Sequence, residues 1–380
     1  MIQPVKHLAI NWVDGMKISQ SHFEAQENYF IDCIRDASSI SINNFNYGLL
    51  PRSNAADRAV FDVFLTATND VQIEIKNCSA ITAAGYRVEI VQYSANVKSL
   101  STSLDTGLSN ADGDYYIVVT VNPFEKVPVG DIDPEEIPPR RPNTQPKVFV
   151  ELVPLSAIGQ NAAGSNYIIM GKVSIKHNMV QADESFIPAC ASVQSHQKLL
   201  AYYNAFAKTM GNIQQYAFRI LQKAANANQN STLAKNVKTL CQTLLDHFAG
   251  IYFQFRNVIP FQPPVYLVDV FAQQALHLYN TTQAMVAAEL EEMMHYTFEW
   301  SEIAPHALIG QLSAVAEIKY NHNDSNSHFA EIGNMMNSIE LIFKRLSELD
   351  FIGQRKENII VNEQSVSNNN RTQRGWSVLD

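Results

Sequence analysis

Two hydrophobic periods divide this chain of 380 residues. Between residues 47 and 187 the period is two: runs at 60–65, 71–75, 86–90, 115–121, 148–153 and 167–175 are rich in β-branched or aromatic residues, and several of them alternate apolar with polar side chains. A period of two sends successive side chains to opposite faces of a pleated strand, so these runs predict six strands. Asn-Asp, Ala-Gly and Asp-Gly turn signals separate them, and no amphipathic helix intervenes to carry a parallel crossover. An antiparallel sandwich or barrel follows. Residues 122–147, between the fourth and fifth runs, hold seven of the fifteen prolines and an acidic stretch from Asp131 to Glu136. Proline fixes φ and lacks an N–H donor, so this segment is expected as an extended arm or a solvated loop outside the sheet interior.

After Phe186-Ile187-Pro188-Ala189-Cys190 the period lengthens to three and four, which predicts helices at 193–225, 233–258 and 263–300. A fourth helical region is broken near 321–325, its longer piece running over 328–349. These helices carry Gln, Asn and Tyr where a monomeric bundle places Lys and Glu, and an apolar surface on two sides calls for further neighbours. The expected class is therefore α+β in two parts: a β-sandwich with an embedded helix over 1–190, and a helical bundle over 191–350 that self-associates. Residues 351–380 are rich in Asn, Ser, Gln and Arg and read as a mostly disordered tail, tipped by Trp376 as a docking peg.

The embedded helix follows the most distinctive stretch of the chain, Asn11-Trp12-Val13-Asp14-Gly15-Met16 and then Ser21-His22-Phe23-Glu24-Ala25-Gln26. Asp14-Gly15 is a strong turn signal, and Ser21 with Glu24 has the spacing of a capping box. His22, Phe23, Gln26, Tyr29, Phe30, Cys33, Ile34 and Ala37 recur at helical spacing. A strand, a turn and a helix are expected, with Trp12, Met16, Phe23 and Phe30 as packing residues and His22 packed or hydrogen-bonded rather than a ligand.

Composition narrows the function. The net charge is −9, with 14 basic against 21 acidic residues up to residue 190 and 14 against 16 after it. No basic stripe exists for nucleic acid beyond Arg140-Arg141. No stretch has the pattern of a signal peptide or the length of a membrane span, so a soluble, cytoplasmic protein is expected. Cys33, Cys78, Cys190 and Cys241 are widely spaced and read as free buried thiols.

The motif Trp12, Asp14, Gly15, Met16, His22, Phe23 and Gln26 resembles the opening of the TssK family, the baseplate subunit of bacterial type VI secretion systems. Three later stretches resemble the same family in the same order: Phe186-Ile187-Pro188-Ala189-Cys190, Pro264-Val265-Tyr266, and Tyr320-Asn321-His322-Asn323-Asp324. Gln20-Ser21 and Glu24 depart from its pattern. The resemblance implies a sandwich shoulder like those of phage receptor-binding proteins, a helical neck and a homotrimer. It also implies baseplate wedge partners of the TssF and TssG type, an inner-membrane anchor reached indirectly or through the tail, and a place at the cytoplasmic face of the inner membrane. The family's C-terminal head, which contacts the membrane complex, is expected to be reduced here to the polar tail, as in a variant system of the Bacteroidetes kind.

Chemistry adds little. Glu292-Met293-Met294-His295 has the Glu-x-x-His spacing of a di-iron bundle, but no second copy occurs. His322 and His328 flank Asn323 and Asp324 and read as loop-capping. No nucleophile elbow, zinc-protease motif or phosphate loop is present. A structural adaptor of a contractile injection machine without catalytic residues, cofactor or metal is the expected function. The alternatives are a phage-like or extracellular contractile tail protein that binds a receptor, and a metal-binding helical-bundle enzyme.

Overall fold

The computed structural model describes residues 5–52, 58–67, 70–97, 112–157, 166–177, 179–227 and 229–356. It divides into two compact units, one of Met1–Tyr203, Gln254–Val268 and Lys319–Phe329, the other of Asn204–Phe253, Asp269–Ile318 and Ala330–Asp380.

In the first unit β3 (Val71–Ile81) is the spine of one sheet. Its alternate residues Val71, Ile73 and Ile75 are buried, as the period of two requires. β4 (Arg87–Val97) pairs along one edge, while β2 (Val60–Leu65) and the short β1 (Gly48–Leu49) share the other. The second sheet is ordered β6-β5-β7-β8, from β5 (Gly113–Val129), β6 (Asn143–Pro154), β7 (Tyr167–Lys176) and β8 (Met179–Ala182). All these strand pairs are antiparallel. The two sheets pack face to face. The Phe61 ring lies so close over Gly171 that a Cβ there would come within 2.3 Å of it, and Cys78 Sγ sits 3.5 Å from Met170 Sδ.

The six expected strands all form. The proline-rich segment stays out of the sheet interior as expected, but it is not all loop: β5 continues to Val129 and β6 starts at Asn143, so half of the segment extends the β5/β6 hairpin as a two-stranded arm. After an irregularity between Asn122 and Lys126 the ladder resumes, pairing Lys126 with Pro146 and Pro128 with Thr144. Prolines are tolerated because β7 pairs with β5 only as far as Thr120, so both arm strands are edges whose missing N–H can face outward.

The second unit holds most of the helical residues. α2 (Gln197–Asn226), α3 (Thr232–Asn257) and α7 (Asn326–Glu348) begin or end in the first unit, while α5 (Ala287–Ser301) and α6 (Pro305–Ala316) lie wholly in the second, as does most of α4 (Pro264–Gln283). The single helix expected over 263–300 is two, α4 and α5, interrupted at 284–286. Within this unit Phe206 meets Phe271 edge-on at 4.8 Å, and Lys223 Nζ donates to the carbonyls of Ser347 and Leu349 at 2.8 and 2.7 Å, beyond which α7 stops. Residues 351–356 are ordered against α5 rather than part of a tail. Gly353 N–H donates to Tyr296 Oη at 2.9 Å, and Arg355 pairs with Glu299 at 2.8 Å. No helix among the described residues is long and apolar enough to cross a membrane.

Candidate interaction surface

The turn before the embedded helix forms as expected. Met16 N–H donates to Val13 O at 3.2 Å, and Gly15 takes the positive φ of +78° that the third position of this turn demands. No strand precedes it among the described residues, which correct the strand expected up to Trp12. The helix α1 (Gln20–Ser39) starts two residues earlier than the Ser21–Glu24 spacing implied. Its capping box uses Ser19 and His22, with the Ser19 N–H donating to His22 Nδ1 at 3.1 Å. His22 is therefore a capping residue, an imidazole in the place usually taken by Glu or Gln.

The burial of α1 is inverted. Its only buried residues are Asp32 and Arg35, 1% and 2% exposed, joined by Arg35 Nε to Asp32 Oδ1 at 2.9 Å. Asp32 Oδ2 also accepts from the backbone N–H groups of Lys6 and His7, the latter at 3.0 Å, and so ties the N-terminal segment to the helix. The His7 ring lies 4.2 Å from that of Phe124 on β5, and Glu27 pairs with Lys126. Burial pushes the Asp32 carboxyl up, but the two backbone donors and Arg35 together outweigh it and hold the group below the usual carboxylate range.

The apolar residues of α1 face the other way. Phe23, Phe30 and Ile34 are 63%, 55% and 67% exposed. Spaced by seven and four, they fall in one line along the helix, on the side opposite Asp32. Trp12 is 47% exposed and sits 6.0 Å from the His22 ring, and Ile18 and Val13 extend the same exposure. Trp12, Phe23 and Phe30 are thus not core residues of this chain, and Met16 is only half-buried. The periodicity that announces a helix does not say which side meets its own sheet. Here an ion pair took that side.

A second polar cluster in the same unit surrounds His322. Its Nε2–H donates to the carbonyl of Tyr47 at 2.9 Å, which fixes the neutral tautomer and leaves Nδ1 to accept from Tyr320 Oη at 3.1 Å. Asn321 N–H donates to His328 Nε2 at 3.0 Å, and Tyr47 Oη donates to Asn323 at 2.9 Å. These two histidines hold a loop, and a cleft of about 400 Å³ opens beside them, lined by Ile42, Asn43, Asn44 and Tyr47 among others. Burial keeps His322 below the ordinary imidazole range, and burial followed by Lys198 and Arg58 pushes His196 down to about 4. A histidine buried neutral stabilises the fold fully above its unfolded value of about 6.5, and that stability is lost as pH falls toward the folded value. Urea midpoints measured from pH 7.5 to 4 are therefore expected to drop below about pH 6.5, and His196→Gln should flatten that slope.

No protein-family model and no curated protein matches the chain. Solved structures do. The baseplate complex from the type VI secretion system matches at 12% identity over 88% of this chain and 99% of that one, with a TM-score of 0.52. A crystal structure of TssK is 14% identical over 88% of this chain and 69% of that one, at 0.49. In fold the chain is like a subunit of that baseplate complex.

Within this baseplate-like fold the motif residues divide into two groups. Asp14, Gly15 and His22 shape the turn and the cap, whereas Trp12 and Phe23 are displayed and Gln26 and Met16 sit between. Trp376 lies outside the described residues. Sequence reasoning missed Asp32 and Arg35, although an Asp-x-x-Arg inside an apolar helix was a readable sign that one face is charged. Three of the four cysteines are buried as expected, with burial pushing Cys78 and Cys241 up to about 12, but Cys33 is only half-buried. Glu292 and His295 meet no partners that would form a metal site: among the described residues, no three of His, Cys, Asp or Glu are placed so that they could hold a metal ion, and His295 faces Glu291 at 3.8 Å.

Proposed function

We propose that this chain is a structural subunit of a type VI secretion baseplate, a trimeric adaptor that grips wedge proteins of the TssF and TssG type and hands the baseplate to an inner-membrane anchor from the cytoplasmic side. The observation that carries this reading is the fold, which follows that of the baseplate complex over 88% of the chain. Two features of the chain itself support it. The aromatic line of Phe23 and Phe30 is left uncovered by the helix's own sheet, and α3 displays Phe253 at 75% exposure. Apolar side chains this large and this exposed mark surfaces that meet other proteins. Three copies around an axis present three equivalent gripping surfaces, so modest single contacts add up to a firm attachment. The chain works by binding, with no catalytic residue, cofactor or metal. Trp12, Asp14, Gly15, Met16, His22, Phe23 and Gln26 belong to the gripping end, and residues 1–190 and 191–350 form its shoulder and neck.

The test is co-purification of the tagged chain with wedge proteins of the TssF and TssG type from its own source, with light scattering on the chain alone. Retention of both wedge proteins and a mass of three chains are expected. Because its side chain is half in water, Trp12→Ala should shift stability by less than about 1 kcal/mol while weakening wedge retention. A monodisperse single chain at micromolar concentration, or no wedge protein retained, would overturn the reading.

A further inference from the structure

Between the start of α1 and the β5/β6 arm runs an open groove of about 790 Å³. Its apolar lining is Ile18, Phe23, Phe124 and Pro128, and its carboxylates are Glu24, Glu27 and Glu125. Glu27 is matched by Lys126 and Glu125 by Lys147. Glu24 instead holds the neutral amide of Gln20, with Nε2 to Oε1 at 2.6 Å, so its charge is not balanced by that contact. The groove therefore joins an uncovered aromatic, Phe23, to one carboxylate in excess, along a helix whose buried side is already filled by Asp32 and Arg35.

We propose that this groove docks a peptide segment of a partner protein, carrying a large apolar anchor that covers Phe23 and a lysine or arginine beside it that meets Glu24. Charge complementarity selects this occupant: an acidic segment would face three carboxylates against two lysines, and a purely apolar one would desolvate Glu24 with only the neutral Gln20 amide against its charge. A second copy of α1 brings the same acidic side and is disfavoured for the same reason. The inference rests on reading the β-sheet unit as the partner-binding part of the chain. Its test uses peptides alone, so a failure here leaves the co-purification result standing.

The probes are two fluorescein-labelled ten-residue peptides, one alternating leucine and arginine, the other leucine and glutamate, titrated against the full chain by fluorescence anisotropy. The basic peptide is expected to bind at least about tenfold more tightly, with affinity falling as salt rises. Phe23→Ser should weaken it about tenfold, and Glu24→Gln should remove much of the preference over the acidic peptide. Glu135→Gln on the arm's tip, outside the groove, should change neither, which separates docking from general attraction to an acidic protein. Circular dichroism on each variant keeps folding in view. Equal binding of the two peptides, indifference to Phe23→Ser and Glu24→Gln, or a change of oligomeric mass in Phe23→Ser would overturn the proposal, the last by showing the groove to be a contact between copies.

Discussion

Replacing Asp32 by alanine is expected to lower the stability of the β-sheet unit by about 3–5 kcal/mol, the range found when one member of a buried ion pair is removed. Asp32 and Arg35 are almost fully buried, and the carboxylate accepts from two backbone N–H groups as well as from the guanidinium. Alanine strands those donors and removes the main counter-charge of Arg35, leaving the more distant Asp36 at 3.9 Å. Asp32→Asn retains an oxygen that can accept but loses the charge, so it should fall between wild type and alanine. Urea unfolding at pH 7 measures both, and an unchanged denaturant slope would show that the loss belongs to the folded state. The pH dependence gives a second reading. A carboxyl held below its unfolded value of about 3.9 contributes fully above that value and loses its contribution as pH falls through the folded one. The gap between wild type and Asp32→Asn should thus persist to about pH 4 and close only in stronger acid. The buried histidines act higher, below about pH 6.5, so the acid side of the stability profile should show two separable declines. A gap under about 1 kcal/mol at pH 7 would mean that the pair only holds the N-terminal segment and not the fold.

That helix also shows what the sequence disclosed and what it withheld. Alternation in β3 and β7 named the strands because a sandwich strand has one face inside, and the pattern reports that face directly. The helices past residue 190 were legible for the same reason, down to the gap at 321–325, although the gap between α4 and α5 was not, since no proline or glycine marks 284–286. Proline counting kept the arm out of the sheet interior but did not reveal that half of it pairs as a hairpin, because whether a strand is an edge is a property of its neighbours. Phe23, Phe30 and Ile34 gave the right helix and the wrong inside: one chain's periodicity cannot distinguish an apolar face made for its own sheet from one made for another protein. The inversion became visible only when Asp32 and Arg35 were found underneath.

Gly48→Ala is expected to be the most damaging single substitution in the β-sheet unit, costing about 4 kcal/mol or more. Gly48 has φ of +108°, outside the range that side chains tolerate. A Cβ built there would stand 2.1 Å from the carbonyl oxygen of Ala189 and 2.2 Å from its carbon. That carbonyl cannot retreat cheaply. It accepts from Leu49 N–H at 2.8 Å, and Ala191 N–H donates back to Leu49 O at 2.9 Å, so the 189–191 backbone forms a parallel bridge with β1. On its other side β1 is paired with β3 through Gly48 with Ile81 and Leu49 with Ala80. The glycine thus lets the Phe186–Cys190 stretch, singled out in the sequence as a junction, lie against the first sheet. Gly15→Ala is the control for backbone strain alone, since Gly15 also has positive φ but nothing lies within 4 Å of its added Cβ. It should cost only about 1 kcal/mol. Thermal and urea unfolding of both variants separates strain from collision. If Gly48→Ala cost no more than Gly15→Ala, the close pairing of β1 with residues 189–191 would be relaxed in solution, and the junction would be hinged rather than fastened.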